Sequence, residues 1–156
     1  MIIRQAHPED ALQIGEVHSK AWKQAYRNVF PREFIEADSP EKRTAEFLNS
    51  LPDPQDSYLL MTENKQILGI ARLLRHSGET ELLSLYLPEE YRGRGYGRQL
   101  LDHLKSGQDS RIILWVLETN RRARAFYEKN GFVPTGRSRT IRRGADFIQL
   151  EYEWIR

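Results

Sequence analysis

Tyr91-Arg92-Gly93-Arg94-Gly95-Tyr96-Gly97-Arg98 is the stretch from which the architecture can be worked out. It lies between a strand-like run, Leu82–Leu87, and a helix-like run, Gly97–Leu104. Three glycines at alternate positions let backbone N–H groups converge with no Cβ in the way. The helix that follows adds unpaired amides and the positive end of its dipole, which makes the loop an anion site. Arg92, Arg94 and Arg98 supplement the charge. Two other phosphate loops are excluded by spacing. The Gly-x-Gly-x-x-Gly turn fails because Arg98 stands at its third glycine, and Gly97 comes one position early. A Gly-Lys-Ser/Thr loop fails because the one Lys-Ser pair, Lys105-Ser106, follows Leu104.

Outward from the loop, the hydrophobic pattern sets out the remaining elements. Ile2–Gln5 reads as a short strand, and His7-Pro8-Glu9-Asp10 as a helix start. Ala11, Ile14, Val17/His18, Ala21/Trp22, Ala25 and Val29 then recur at helical spacing. Pro40-Glu41 opens a short helix to Leu48, which Pro52 and Pro54 end. Tyr58–Met61, Ile67–Leu74 and Ile112–Leu117 read as strands. Thr119 or Asn120 caps a helix running to Lys129, and Asn130-Gly131-Phe132 closes it with Gly131 left-handed and Phe132 folded back on Tyr127 or Phe126. A strand begins at Phe132-Val133. The last one alternates Ile148, Leu150, Tyr152 and Trp154 with Gln149, Glu151 and Glu153. The order β-α-α-β-β-β-α-β-α-β-β predicts one mixed α/β sheet with helices on its faces.

The chain has 156 residues, which predicts one domain over 1–156. It contains no cysteine, so disulfides, thiolate metal sites and cysteine nucleophiles are excluded. Its histidines, His7, His18, His76 and His103, show no metal-ligand spacing. No run approaches the roughly 20 apolar residues of a membrane span, and the N-terminus lacks a signal-peptide core. A cytoplasmic protein is expected. The net charge of +2 is too balanced to announce a nucleic-acid partner, and none is expected. The charges are nonetheless segregated. Residues 31–63 hold eight acidic and three basic side chains, while residues 119–144 hold eight basic and one acidic. Two solvated faces would satisfy this pattern, as would a cleft with one side for an anion and the other for a cation.

Leu85-Tyr86-Leu87-Pro88-Glu89-Glu90-Tyr91-Arg92-Gly93-Arg94-Gly95-Tyr96-Gly97 resembles the acetyl-coenzyme-A motif of the GNAT N-acetyltransferases, Arg/Gln-x-x-Gly-x-Gly/Ala, at Arg92, Gly95 and Gly97. Asn120 through Phe132, including Ala125-Phe126-Tyr127-Glu128-Lys129-Asn130-Gly131-Phe132, resembles the family's second motif. The resemblance implies an α/β (α+β) fold. Its single central mixed sheet, mostly antiparallel, would have about seven strands, with helices on both faces and central strands splayed at the cofactor site. It also implies that acetyl-coenzyme A is a co-substrate, without a metal. The pantetheine arm would pair with the strand end Leu85-Tyr86-Leu87, and the pyrophosphate would sit on the loop Arg92-Gly93-Arg94-Gly95-Tyr96-Gly97-Arg98. Asn120 would contact the cofactor, cap its helix, or both.

Acyl transfer to an amine needs a neutral amine, oxyanion donors and a proton for the departing thiolate. Deprotonating an alkylamine at pH 7 costs about 4.6 kcal/mol. By resemblance Tyr127 is the proton donor and the Leu87 amide the oxyanion donor. Glu81 resembles the glutamate base of histone-type members, with Glu118 or an ordered water as the alternatives; strand parity puts 81, 83, 85 and 87 on one face unless a bulge intervenes. Trp22, Tyr26 and Phe30 form an aromatic series that reads as core, or in part as a wall of the acceptor site. The acidic balance of 31–63 would favour a cationic amine. The expected activity is N-acetylation of a small-molecule or peptide amine by direct attack in a ternary complex, and a homodimer is possible. A non-catalytic acyl-coenzyme-A sensor is the alternative; it would keep the loop and need no Tyr127.

Overall fold

The computed structural model describes residues 1–156. Seven strands form one sheet in the order β1-β2-β3-β4-β5-β7-β6. They are β1 (Ile2–Gln5), β2 (Asp56–Glu63), β3 (Gln66–His76), β4 (Glu79–Tyr86), β5 (Arg111–Leu117), β6 (Val133–Arg142) and β7 (Asp146–Ile155). All neighbours are antiparallel except β4 and β5. That one parallel pair follows from chemistry between the two strands in sequence. Helix α4 (Tyr96–Lys105) carries the chain back over the sheet, as a parallel connection requires.

The helices divide between the faces. Helices α4 and α5 (Arg121–Lys129) cover one side, where Leu100, Leu101, Ile112, Leu114, Phe132 and Tyr152 are buried. On the other, α1 (Ala11–Tyr26) and α3 (Pro40–Ser50) cover β2 and β3 through Ile14, Phe47, Leu60 and Ile70. An aromatic cluster of Trp22, Phe30, Ile35 and Leu117, joined by Tyr26, Phe34, Tyr86 and Phe147, ties the end of α1 to β4, β5 and β7. No helix is long and apolar enough to cross a membrane.

Three local readings need correction. The helical spacing that ran to Val29 stops at Tyr26, because Val29 and Phe30 both donate to the Tyr26 carbonyl in a tightening turn and Val29 is exposed. Between Pro31 and Pro40 lies a one-turn helix, α2 (Arg32–Glu36), too short to show a periodic pattern. Pro8–Asp10 forms a 3-10 turn ahead of α1, where the Asp10 carboxylate accepts from the His7 N–H (2.7 Å) and pairs with Arg4 (2.9 Å).

The end of α5 matches its expected turn bond for bond. Gly131 has φ +88°; its N–H donates to Glu128 (3.2 Å), and that of Phe132 to Tyr127 (3.0 Å). These are the two crossed bonds of a Schellman motif, with the Phe132 ring 5.7 Å from that of Tyr127.

Candidate active site

A register break at the sheet's centre builds the site. Strand β4 pairs with β5 from Glu79↔Arg111 to Leu82↔Leu114, and no further. At that point β4 carries a bulge against β3: Leu73 faces Leu82, but Arg72 faces Ser84, so Leu83 is the extra residue. Beyond it β4 stays with β3 to Tyr86↔Ile70, while β5 stays with β7 to Leu117↔Gln149. The two strands therefore diverge, and the facing edges Ser84–Tyr86 and Trp115–Leu117 have no ladder between them. Unpaired backbone edges inside a sheet call for a peptide-like partner. Ser84 Oγ, buried here without a hydrogen-bond partner in the protein, points to the same need.

The gap opens into a cleft of about 1080 Å³. Its floor is Leu82–Leu87 and Leu114–Leu117, and its far wall is Asn120, Arg122, Ala123, Phe126 and Tyr127. At one end stands the anion loop. Gly95 is left-handed (φ +81°) and is the N-cap of α4, so the chain swings directly from the loop into the helix and aims the first-turn amides at the cleft. Arg92, expected to lend its side-chain charge to the loop, folds back so that its Nε donates to the Leu87 carbonyl (3.0 Å) and closes the loop on the strand end. Burial, then the nearby Arg122, holds its guanidinium pKa below the usual value. Arg94 leans over the Tyr91 ring (5.9 Å) and is not among the residues lining the cleft. Arg98, Lys105, Arg122 and Lys129 do line it.

Asn120 combines two duties. Its Oδ1 accepts from the Ala123 N–H (3.1 Å) as the N-cap of α5, and the residue also lines the cleft. Three phenols converge at the other end. Tyr86 Oη donates to Tyr26 Oη (3.4 Å), and Tyr127 lies near enough for Tyr26 to bear on its ionisation. Burial is the larger cause, and it pushes the Tyr127 hydroxyl well above the ordinary phenol range. Burial does the same to Tyr86. Both hydroxyls remain protonated across the neutral and alkaline range, which suits donors and not bases.

Other residues fall differently from expectation. Trp22 and Phe30 are buried in the aromatic cluster and do not reach the cleft, whereas Tyr26, stacked on Phe30 (4.6 Å), does. The bulge also breaks the simple parity. Leu82 and Leu85 face α4 and α5, so Glu81 shares the opposite face with Tyr86. Neither Glu81 nor Glu118 lines the cleft; Glu118 is exposed. Nor does any acidic side chain of 31–63. Asp38 pairs with Arg43 (2.8 Å) and Asp56 with Arg72 (2.7 Å), away from the opening. The cleft's carboxylates are Glu89, held by Arg27 (2.8 Å), and Asp102.

The sequence reading missed Ser84, Lys105, Arg122, Lys129, Trp115, Gln149 and the neighbours of Tyr26 at the helix exit, Gln24, Ala25, Arg27 and Asn28, all of which line the cleft. Only the run of cations after Asn120 offered a signal; the others depend on which strands become neighbours.

A sheet that opens between two strands, beside amides aimed at an anion and a wall of cations, fits an extended, amide-bearing nucleotide thioester. That is the binding site of a coenzyme-A-dependent acyltransferase. A model described as the acetyltransferase (GNAT) family matches residues 19–132. A spermidine N(1)-acetyltransferase of Thermoplasma acidophilum is 30% identical over 161 residues, covering 97% of both chains. An uncharacterized N-acetyltransferase of Mycobacterium bovis is 36% identical over 117 residues, 72% of each. The crystal structure of PaiA N-acetyltransferase from Thermoplasma acidophilum in complex with coenzyme A superposes with a TM-score of 0.77, at 28% identity, over 99% of this chain and 98% of that one. The chain belongs to the GNAT acetyltransferase family. It is an acetyl-coenzyme-A-dependent acyltransferase with the seven-stranded mixed sheet of that fold.

Proposed function

We propose that the protein acetylates a primary amine of a small molecule or peptide by direct attack within a ternary complex. The observation that carries this is the juxtaposition of the unpaired β4 edge with a protonated Tyr127 in one cleft. Bound acetyl-coenzyme A supplies an activated acyl carbon and a thiolate leaving group. The chain supplies position and protons. The loop amides from Gly93 onward and the first turn of α4 hold the diphosphate, Arg98, Arg122 and Lys129 screen its charge, and Asn120 sets the angle of α5. The Leu87 N–H serves as the oxyanion donor.

Tyr127 donates its hydroxyl proton toward the leaving sulfur. Full transfer from a phenol to a thiolate is uphill by roughly 2 kcal/mol from the ordinary pKa values, and more with the phenol raised, so the bond is a shared one. The amine's proton leaves through water, since the lining carboxylates, Glu89 and Asp102, belong to the loop and α4. Glu81 would act on that water from the neighbouring sheet face. A relative acts on spermidine by name. The acceptor end of this cleft offers Tyr26, Tyr86, Trp115 and Gln149 and none of the acidic side chains of 31–63, which does not favour a polycation.

The test is release of free thiol from acetyl-coenzyme A against a panel of amines, with binding of coenzyme A measured in parallel by calorimetry. Turnover of at least one primary amine is expected. Tight binding with no turnover of any amine would overturn the reading.

A further inference from the structure

Beside the acceptor end of the cleft, resting on two of its lining residues, stands an exposed cation that makes no salt bridge. Arg139 stands on β6, two strands from β5 in the order β5-β7-β6, or roughly 10 Å at ordinary strand spacing. Its side chain nevertheless reaches back so that its guanidinium carbon lies 4.3 Å from the centre of the Trp115 ring on β5. Its Nε donates to Gln149 Oε1 (2.8 Å), a neutral acceptor. Both Trp115 and Gln149 line the cleft, next to Leu117 and the phenols.

The carboxylates on this sheet face are committed elsewhere or too far to pair. Glu151, buried, accepts from Thr135 (2.8 Å) and faces Arg137 (3.6 Å) and Arg111 (3.9 Å). Glu153 and Glu79 are both held by Arg111 (2.7 Å each). Glu81 acts on Arg139 only at longer range. Partial burial is the largest influence on this guanidinium, followed by attraction to Glu81, repulsion from Arg143 and attraction to Glu151, none of them in ion-pair contact. A stacked, oriented guanidinium with no carboxylate in ion-pair contact presents its remaining N–H groups in the fork geometry that matches an oxyanion.

We infer that Arg139, braced by Trp115 and Gln149, binds an anionic group of the acceptor, so that the preferred substrate is an amine that also carries a carboxylate or phosphate. This rests on the acetyl-transfer reading and narrows its substrate class. The proton and acyl bookkeeping is unchanged, since Arg139 only positions.

The experiment compares matched amines: lysine with cadaverine, 6-aminohexanoate with hexylamine, and phosphoethanolamine with ethanolamine. In the wild type the anion-bearing member of at least one pair should show a kcat/KM ten-fold or more higher, with the difference in KM. The pair that responds distinguishes carboxylate from phosphate. Arg139→Gln should raise that KM at least ten-fold, leave kcat within about two-fold and leave the member without the anionic group unchanged; Arg139→Lys should restore part of the loss. If the amines without an anionic group are used equally well by the wild type, the inference fails while acetyl transfer stands, and this arm needs no variant to fold. Silence of all six amines and of the wider panel would overturn the acetyl-transfer reading itself.

Discussion

Tyr127 illustrates how surroundings suit one side chain to a proposed role. In water a phenol titrates near 10, within reach of an alkaline assay. Here burial, then Tyr26, raises it, and the raised value favours the neutral form. As the proposed donor, Tyr127 therefore still holds its proton when the acceptor amine has lost its own. The kcat of the wild type should rise or level off between pH 7 and 10, with no descending limb there. Tyr127→Phe keeps the ring packing on Phe126 and Phe132 (5.3 and 5.7 Å) and removes only the hydroxyl. It should lower kcat at least ten-fold and leave the affinity for coenzyme A within about two-fold, as read by steady-state kinetics and calorimetry. A loss confined to cofactor affinity would remove Tyr127 from the chemistry.

Elements fail in ways that individual groups do not. The C-terminus of α5 depends on Gly131 at φ +88°, where a Cβ would meet Trp154 Cδ1 only at an ordinary 3.5 Å. The penalty of Gly131→Ala is thus backbone strain, about 1–2 kcal/mol, and should appear as a lowered denaturation midpoint with an unchanged KM for acetyl-coenzyme A. The turn was legible in advance because Asn130-Gly131-Phe132 is a local signal, needing only neighbours in the chain. The position of the β4 bulge was not, although the resemblance implied that strands would splay here. Nothing in Leu82-Leu83-Ser84 marks Leu83 as the extra residue, since that depends on the register adopted against Arg72 and Leu73 of another strand. The parity argument for Glu81 failed for that reason.

At the level of the whole molecule, stability should depend on pH through His18. This imidazole sits beneath Tyr86 (5.3 Å between rings), is 2% exposed, and has Nδ1 without a partner. Burial, then Arg43 and Arg72, lowers its pKa from 6.5 to about 3. The unfolded chain therefore binds the proton first as the pH falls. The stability that neutral His18 allows is complete above pH 6.5 and is lost as the pH drops toward 3, by about 2 kcal/mol at pH 5. Urea denaturation at pH 7.5 and 5 should show this loss, and His18→Leu should reduce it. An equal slope in the variant would assign the effect to other groups.

The anion loop, the helix caps, the alternating last strand and the place of Tyr127 could all be read from residues close together in the chain, because each depends on local backbone geometry or on a short spacing. Which strands part, which arginines turn toward the cleft, and which acidic side chains are already spent on Arg43 and Arg72 depended on residues far apart in sequence becoming neighbours. Arg139 shows the difference best. In the chain it is one of eight basic residues in 119–144. Only the strand order β5-β7-β6 sets it over Trp115, a residue that lines the cleft.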